Sequence, residues 1–330
     1  MKNLILIVTN KNDEHADRIV SVLDELGEHT CRFNTEAFPL RIAATLSCSG
    51  ASLKIPTRVA ENSGLVDLNE VKSVWYRRPT PPLIPDRKTE EGYARFIKNE
   101  SETALWSLYT TLDAFWINQP LSHRLLERNK LLQLKKAALV GLTVPDTIIT
   151  NDPDVLLGFA DAHGGVVAIK LLKGDWFRER NSEIPLLVFT QRVASDQIRE
   201  HYEDIKLTPI LAQQYIEKAL ELRVTIVGEK TFACAIHSQD SEHTRTDWRD
   251  YDLEHVKHEP FELPDEVRVK LGAFMEKCNL SYGAIDIIVT PEDEYVFLEV
   301  NPSGQWLWIE ELTGMPISKT LAELLAYPPR

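Results

Sequence analysis

The most constraining stretch of this chain is residues 282–289, an apolar run, Tyr-Gly-Ala-Ile-Asp-Ile-Ile-Val, with one charge, Asp286, at its centre. A second run, Val296-Phe297-Leu298-Glu299-Val300-Asn301-Pro302, follows after the turn residues Glu292-Asp293-Glu294. Together they predict an antiparallel hairpin in which Glu299 and Asn301 share a face at period two and Asp286 lies near them. Charged groups in strands this apolar need a partner. Two carboxylates and one amide oxygen form a hard-ligand set, suited to Mg²⁺ carrying nucleotide phosphates. Any one of these acids alone would more readily face solvent. The fixed ending of the strand, Asn301-Pro302-Ser303-Gly304, favours a built site over a solvated hairpin.

At 330 residues the chain is too long for one ordinary core, and two or three domains are expected. The first third reads as a small α/β unit. It opens with a strand at Leu4–Val8, then a helix from about Asp13 that carries Ile19, Leu23 and Leu26 on one stripe and stops at Gly27. Strands are expected at 30–34, 42–47, 51–55 and 71–76, before Pro79, Pro81, Pro82 and Pro85 interrupt regular structure. A helix over about 89–112 turns Phe96, Leu105, Leu108 and Leu112 inward. Pro120 marks a boundary, followed by a helix over 124–140 closed by Gly141, a strand at 144–150, a helix capped by Asn151-Asp152-Pro153, and a strand at 166–172. A second boundary falls near Tyr215, where a strand at 209–213 gives way to a hairpin of 220–227 and 231–237 joined at Gly228-Glu229. The expected domains are therefore 1–119, 120–214 and 215–330.

A net charge of −13 argues against a nucleic-acid partner, and no apolar run approaches membrane-spanning length. The start, Met1-Lys2-Asn3 before Leu4, lacks a signal-peptide core and is read as leading into the first strand. Cys31, Cys48, Cys234 and Cys278 show no metal or redox spacing, and buried reduced thiols in a cytoplasmic protein are expected.

An aspartate strand followed by Glu-Val-Asn-Pro-Ser-Gly resembles the metal-binding end of the ATP-grasp superfamily, and other marks of that family stand upstream in order. Asn129-Lys130, before Gly141-Leu142-Thr143-Val144-Pro145, resembles the segment supplying one phosphate-contacting lysine; Ala168-Ile169-Lys170 resembles the segment supplying the second. Gln213-Gln214-Tyr215-Ile216-Glu217 resembles the adenine-holding hinge, and Glu221-Leu222-Arg223 the acidic-x-Arg signature whose acid faces the ribose. The resemblance spans roughly Pro120 to the C-terminus. It implies an α/β architecture with an N-terminal pre-ATP-grasp domain and two grasping α+β subdomains, with ATP and two Mg²⁺ ions as cofactors. The metal set would be Asp286, Glu299 and Asn301. One departure is Lys173-Gly174-Asp175-Trp176-Phe177-Arg178-Glu179-Arg180, where many members of that family carry a glycine-rich phosphate loop and this chain has one glycine.

Trp75-Tyr76-Arg77-Arg78-Pro79 and Asn301-Pro302-Ser303-Gly304-Gln305-Trp306-Leu307-Trp308-Ile309-Glu310 are similar to the microviridin-type ATP-grasp maturases, the graspetide synthetases. That likeness implies phosphorylation of an Asp or Glu side chain in a ribosomal precursor peptide. Attack by Ser, Thr or Lys of the same peptide then closes an ester or amide ring, with a leader segment docked on the enzyme. A homodimer through the N-terminal unit is the family's suggestion. On residue chemistry, Lys130 and Lys170 supply point charges to phosphates, and the guanidinium of Arg223, Arg245 or Arg249 suits a carboxylate or acyl phosphate. Arg245 and Arg249 lie in a charged loop that solvation alone would also explain. His237, Asp247 and Asp252 are candidate bases, and Trp176, Phe177, Trp306 and Trp308 suit either peptide gripping or core packing. Two other functions compete: a ligase adding a free amino acid to a protein or small molecule, and a nucleotide-binding regulator without catalysis. The first shares the same ATP site, and the second would be expected to lack a metal ligand or phosphate lysine.

Overall fold

Apolar residues run unbroken from Leu4 to Val8, and the strand they form, Leu4–Thr9 (β1), is buried almost throughout because helices cover both faces of its sheet. The computed structural model describes residues 2–49, 52–54, 56–59, 65–84, 91–172, 176–177, 186–241, 243–248 and 255–329. Asp13 caps the helix Glu14–Glu25 (α1) by accepting from the backbone N–H of His15 and Ala16. The strands His29–Asn34 (β2), Val71–Tyr76 (β3) and Phe115–Ile117 (β4) complete a parallel sheet in the order β2-β1-β3-β4. Expected strands at 42–47 and 51–55 are instead short pieces, Ile42–Ala44, Ser47–Ser49 and Ser52–Lys54, in two small separate sheets.

The helix Glu91–Thr111 (α2) buries Leu105 and Leu108, and Leu112 just beyond its end, as expected, whereas Phe96 is 60% exposed. Nine residues separate Phe96 from Leu105, about two and a half helical turns, which puts it on the opposite side. Leu26 likewise lies past the end of α1 and is exposed. The single helix expected over 124–140 is two, Pro120–Glu127 (α3) and Lys130–Leu139 (α4). Asn129 breaks them apart by accepting from Leu132 N–H at 3.1 Å, which makes Lys130 the first residue of α4.

Next comes an antiparallel sheet of Thr147–Thr150 (β5), Val166–Lys170 (β6), Gln191–Ala194 (β7) and Ile210–Gln214 (β8), ordered β5-β8-β6-β7. The helix Pro153–Ala162 (α5) is capped by Asp152 and packs Leu156 and Ala160 on this sheet. A five-stranded antiparallel sheet follows, made of Leu220–Val227 (β9), Lys230–Ile236 (β10), His258–Phe261 (β11), Tyr282–Val289 (β12) and Tyr295–Asn301 (β13). Its order is β11-β10-β9-β12-β13. One face packs Leu222, Val224, Ile285, Ile287 and Phe297 against the helix Asp265–Cys278 (α6) and α4. The other contributes Val227, Cys234 and Tyr282 to a second core, shared with α1, Trp306, and the helices Leu307–Thr313 (α7) and Ile317–Ala326 (α8). Both faces are covered, which explains why these strands read as nearly continuous apolar runs.

Buried amides hold these units in register. Asn118 donates to the carbonyls of Tyr282 (2.8 Å) and Pro302 (3.0 Å) and accepts from Ser281 and Tyr282 N–H. Gln133 of α4 exchanges hydrogen bonds with Val300 on the edge strand β13, at 2.9 and 3.0 Å, in place of a further strand. Cys31, Cys234 and Cys278 are buried thiols; the side chain of Cys48 lies outside those described. No helix among the described residues is long and apolar enough to cross a membrane.

Asn118→Ala removes both halves of this clamp from a buried place. Urea unfolding is expected to lose about 2–4 kcal/mol, with an unchanged fold at low denaturant. A loss under about 0.5 kcal/mol would mean that water takes over the amide's role.

Candidate active site

Register across the large sheet sets three charged residues in a row: Arg223 of β9 opposite Asp286 of β12, and Asp286 opposite Glu299 of β13. The pairing then slips, with Ile287 opposite Phe297, so Leu298 and Glu299 both stand against Asp286. Such a bulge turns two consecutive side chains outward, and here it keeps Phe297 and Val300 in the core while Leu298 and Glu299 line a cleft. Arg223 Nη1 donates to both carboxylate oxygens of Asp286 at 2.9 and 3.1 Å. Burial works against the Arg223 charge, but Asp286 outweighs it and the guanidinium pKa is raised. A side chain at position 304 would meet Ala284 Cβ at 2.2 Å and Arg223 Nη2 at 2.8 Å, so Gly304 is required beside this pair.

The cleft lies between the central sheet and the large sheet, and most of the expected nucleotide residues line it: Lys130, Lys170, Gln213, Gln214, Tyr215, Ile216 and Glu221, with Asp286 and Glu299. Lys130 Nζ sits 2.8 Å from Glu299 Oε2. Lys170 Nζ donates to Gln213 Oε1 at 2.7 Å, and Gln213 Nε2 donates to Thr147 Oγ1. Both lysines thus reach the cleft from elements that end there, the start of α4 and the end of β6. The Arg192 guanidinium lies 5.2 Å over the ring of Tyr215, just past the end of β8.

Glu221 is 6% exposed, and burial raises its pKa against the opposing pull of Lys218. Its Oε1 accepts from Lys218 Nζ at 2.5 Å, while Oε2, also buried, has no hydrogen-bond partner among the described residues. A buried carboxylate oxygen without a donor beside an open cleft is a place for a ligand hydroxyl. Lys218 was not foreseen; the signal was its position three residues before Glu221.

The remaining expected residues are placed differently. Asn301 is exposed on the same face as Glu299, and its Oδ1 accepts from Ser303 N–H at 2.9 Å in a tight turn. It opens onto a second cleft that shares Glu299 with the first. Arg245 is exposed, and its carbonyl accepts from Gln239 Nε2; Arg249 lies outside the described residues. Of the candidate bases, His237 is held by Glu259 at 2.9 Å and Asp247 Oδ2 accepts from Thr190 N–H, whereas Asp252 lies outside the described residues. Trp306 is core, packed on Trp75 at 5.7 Å, and Trp308 stacks on Trp248 at 5.3 Å, which in turn lies over Arg223. The side chains of Trp176 and Phe177 are not among those described.

A family model described as the RimK-like ATP-grasp domain matches residues 118–325, and one described as the MvdD pre-ATP-grasp domain matches residues 4–124. The chain belongs to the ATP-grasp ligases. Among solved structures, this ligase is similar to a Chryseobacterium gregarium RiPP-associated ATP-grasp ligase in complex with ADP and a leader and core peptide. Identity is 31%, coverage 99% of this chain and 98% of that one, and the TM-score 0.90. It is also similar to the Microcystis aeruginosa macrocyclase MdnC bound with precursor peptide MdnA, at 30% identity, 99% and 100% coverage, and TM-score 0.85. Macrocyclase MdnB of the same organism gives 30% identity, 98% and 99% coverage, and TM-score 0.79. No curated protein matches.

An ATP-dependent ligase needs a place for nucleotide and metal, and the donor set here fits both. Among the described residues no three His, Cys, Asp or Glu side chains gather into a metal site by themselves. Asp286 and Glu299 come as a pair, which suits a magnesium ion that takes its other ligands from phosphate oxygens, water and an amide such as Asn301.

The Arg223–Asp286 pair should be strongly coupled. Arg223→Met is expected to destabilise by about 3–5 kcal/mol, because it leaves a carboxylate unpaired between apolar strands. Adding Asp286→Leu should recover at least about 1.5 kcal/mol, read as the coupling term of a double-mutant cycle in chemical denaturation. Simple additivity would show that the two groups are independently solvated.

Proposed function

We propose that this ligase phosphorylates Asp or Glu side chains of a ribosomally made precursor peptide and closes rings between them and other side chains of the same peptide. The observation that carries the reading is that Glu299 belongs to two clefts at once. The first, with Lys130, Lys170 and the hinge, is a narrow cleft with a cavity of ≈ 90 Å³. The second, walled by the N-terminal sheet, α2 and α3, is much roomier, with a cavity of ≈ 790 Å³, more than a free amino acid needs. Full-length similarity to peptide-bound relatives supports the same choice. A regulator without turnover is disfavoured, since both lysines and all three oxygen donors are present.

In this reading residues 1–119 wall the peptide cleft, and residues 120–214 and 215–330 are the two halves that grasp the nucleotide. Gln213, Gln214, Tyr215 and Ile216 hold the adenine, Glu221 takes the ribose hydroxyls on its vacant oxygen, and Lys130 and Lys170 neutralise phosphate. Asp286, Glu299 and Asn301 would hold two Mg²⁺ ions, which when bound draw charge from the transferring phosphoryl group. Arg223 pairs with Asp286 and orients it, and Arg245 and Arg249 are candidates to hold the reacting carboxylate. The enzyme would work in the cytoplasm on a precursor with a leader segment, as a homodimer.

Glu221→Gln should raise the KM for ATP by about tenfold and leave kcat within about threefold, because ribose contacts hold ground and transition states alike. A collapse of kcat at constant KM would move Glu221 into the chemistry.

Activation of the acid should precede the attack. A precursor with every Ser, Thr and Lys acceptor changed to Ala should still give a hydroxamate at Asp or Glu when hydroxylamine is added with ATP and Mg²⁺. A short reading frame beside the gene, rich in Thr, Lys, Asp and Glu, would supply that peptide. Asp286→Asn and Glu299→Gln should each lower trapping by at least about a hundredfold with the fold intact. Phosphate found on Ser or Thr, with no hydroxamate, would sink the mechanism.

A further inference from the structure

The second cleft is cationic in a chain that is strongly acidic overall. Arg77, Arg78, Arg124 and Arg128 line it, against a net charge of −13 for the whole protein. Its own carboxylates have cationic neighbours: Glu299 has Lys130 at 2.8 Å, Glu102 has Lys98 at 3.9 Å, and Glu127 has Arg128 at 3.9 Å. Arg78 donates through Nε and Nη2 to Ser303 O at 3.3 and 3.2 Å, two residues from Asn301. Arg77 is 1% exposed and donates to Ser303 O and to Gly304 O. Its Nη2, and the buried hydroxyl of Tyr109 on the same cleft, have no hydrogen-bond partner among the described residues. Unsatisfied buried donors on an open cleft point to a polar ligand.

His123 stands among them. The Ser303 hydroxyl donates to Arg77 O, so at the 2.5 Å contact with His123 it accepts, and this assigns the imidazole hydrogen to Nε2. Nδ1 therefore keeps its lone pair, on a ring that lines the cleft beside Glu299 and Asn301.

We propose, granting the macrocyclase reading, that the acceptor admitted to this cleft is the neutral hydroxyl of Ser or Thr and not the ammonium of Lys, so that the rings formed are esters. A lysine amine is protonated at neutral pH and would stand as a like charge beside Arg77 and Arg78. His123 already registers that penalty: burial first, then Arg77 and Arg78, push its pKa down to about 4. Nδ1 is placed to accept the hydrogen bond of an acceptor hydroxyl. As the hydroxyl oxygen attacks the acyl carbon of the phosphorylated acid, the new carbon–oxygen ester bond forms. The bond from that carbon to the phosphate oxygen breaks, and its electron pair leaves with inorganic phosphate. The hydroxyl proton passes to Nδ1 and, because an imidazolium here is so acidic, on to the departing phosphate.

The test uses two full-length precursor peptides, leader included, that differ only in having all acceptors Thr or all acceptors Lys. Each is incubated with the enzyme, ATP and Mg²⁺, with ring closure read as loss of water by mass spectrometry and activation read as hydroxamate in a parallel tube. The Thr peptide should close at least about a hundredfold faster, while hydroxamate yields match. Equal closure of the Lys peptide would overturn the ester assignment and leave the macrocyclase reading standing. Absence of hydroxamate from both peptides would instead remove the macrocyclase reading. Arg78→Ala should raise Lys closure relative to Thr by about tenfold, and an unchanged ratio counts against charge as the cause. His123→Gln should slow Thr closure by about a hundredfold at constant hydroxamate yield; a parallel fall in both would mark a merely structural role.

Discussion

Arg223 and Asp286 face each other across two central strands of the large sheet, with their neighbours buried in two cores. A carboxylate in such strands persists only if a cation is bound to it, and the guanidinium on the adjacent strand is that cation. Much else is arranged around the pair. Gly304 is bare because Arg223 Nη2 and Ala284 occupy the space its side chain would need. The turn that Gly304 belongs to brings Ser303 under Arg77 and Arg78, and so ties the N-terminal sheet to the end of the hairpin that carries Glu299 and Asn301. The bulge at Leu298 then sets Glu299 where two clefts meet. Charge balance in the sheet and geometry at the site are one problem with one solution.

Much of this was legible in the residues. The hairpin with Asp286 and Glu299 could be read because its acids interrupt long apolar runs, where every charge has to be explained. Lys170 and the strand of Gln213 could be placed for the same reason, at the ends of apolar strands. The helix break at Asn129 was hidden because the hydrophobic stripe continues across it; only the cap chemistry of Asn129 marks it. Phe96 misled because hydrophobicity was counted without its angle around the helix. The second cleft could not be read at all. Its walls come from residues near 10, 76–82, 102–109, 123–128 and 299–303, which only tertiary packing brings together.

His123 and Lys218 were invisible for a related reason. Each is an isolated polar residue in an ordinary helix or loop, and its meaning lies in a partner, Ser303 or Glu221, that sequence distance or an unremarkable spacing conceals. In both cases the partner has a turn or strand of its own to fix it, so the polar contact is rigid.

The inner face of the N-terminal sheet is covered by elements from the far end of the chain. Ile5 and Ile7 of β1, Trp75 of β3 and the α1 stripe share a core with Trp306, α7 and α8, and Ser73 donates to Leu325 O. During synthesis the first hundred residues therefore emerge with one side of their sheet covered by α1 alone, and remain so until residue 326 has left the ribosome. The chain's early portion is in this sense an unfinished object. It would favour a chaperone while waiting, and a version cut after its own sheet would carry an adhesive apolar surface in place of a domain boundary.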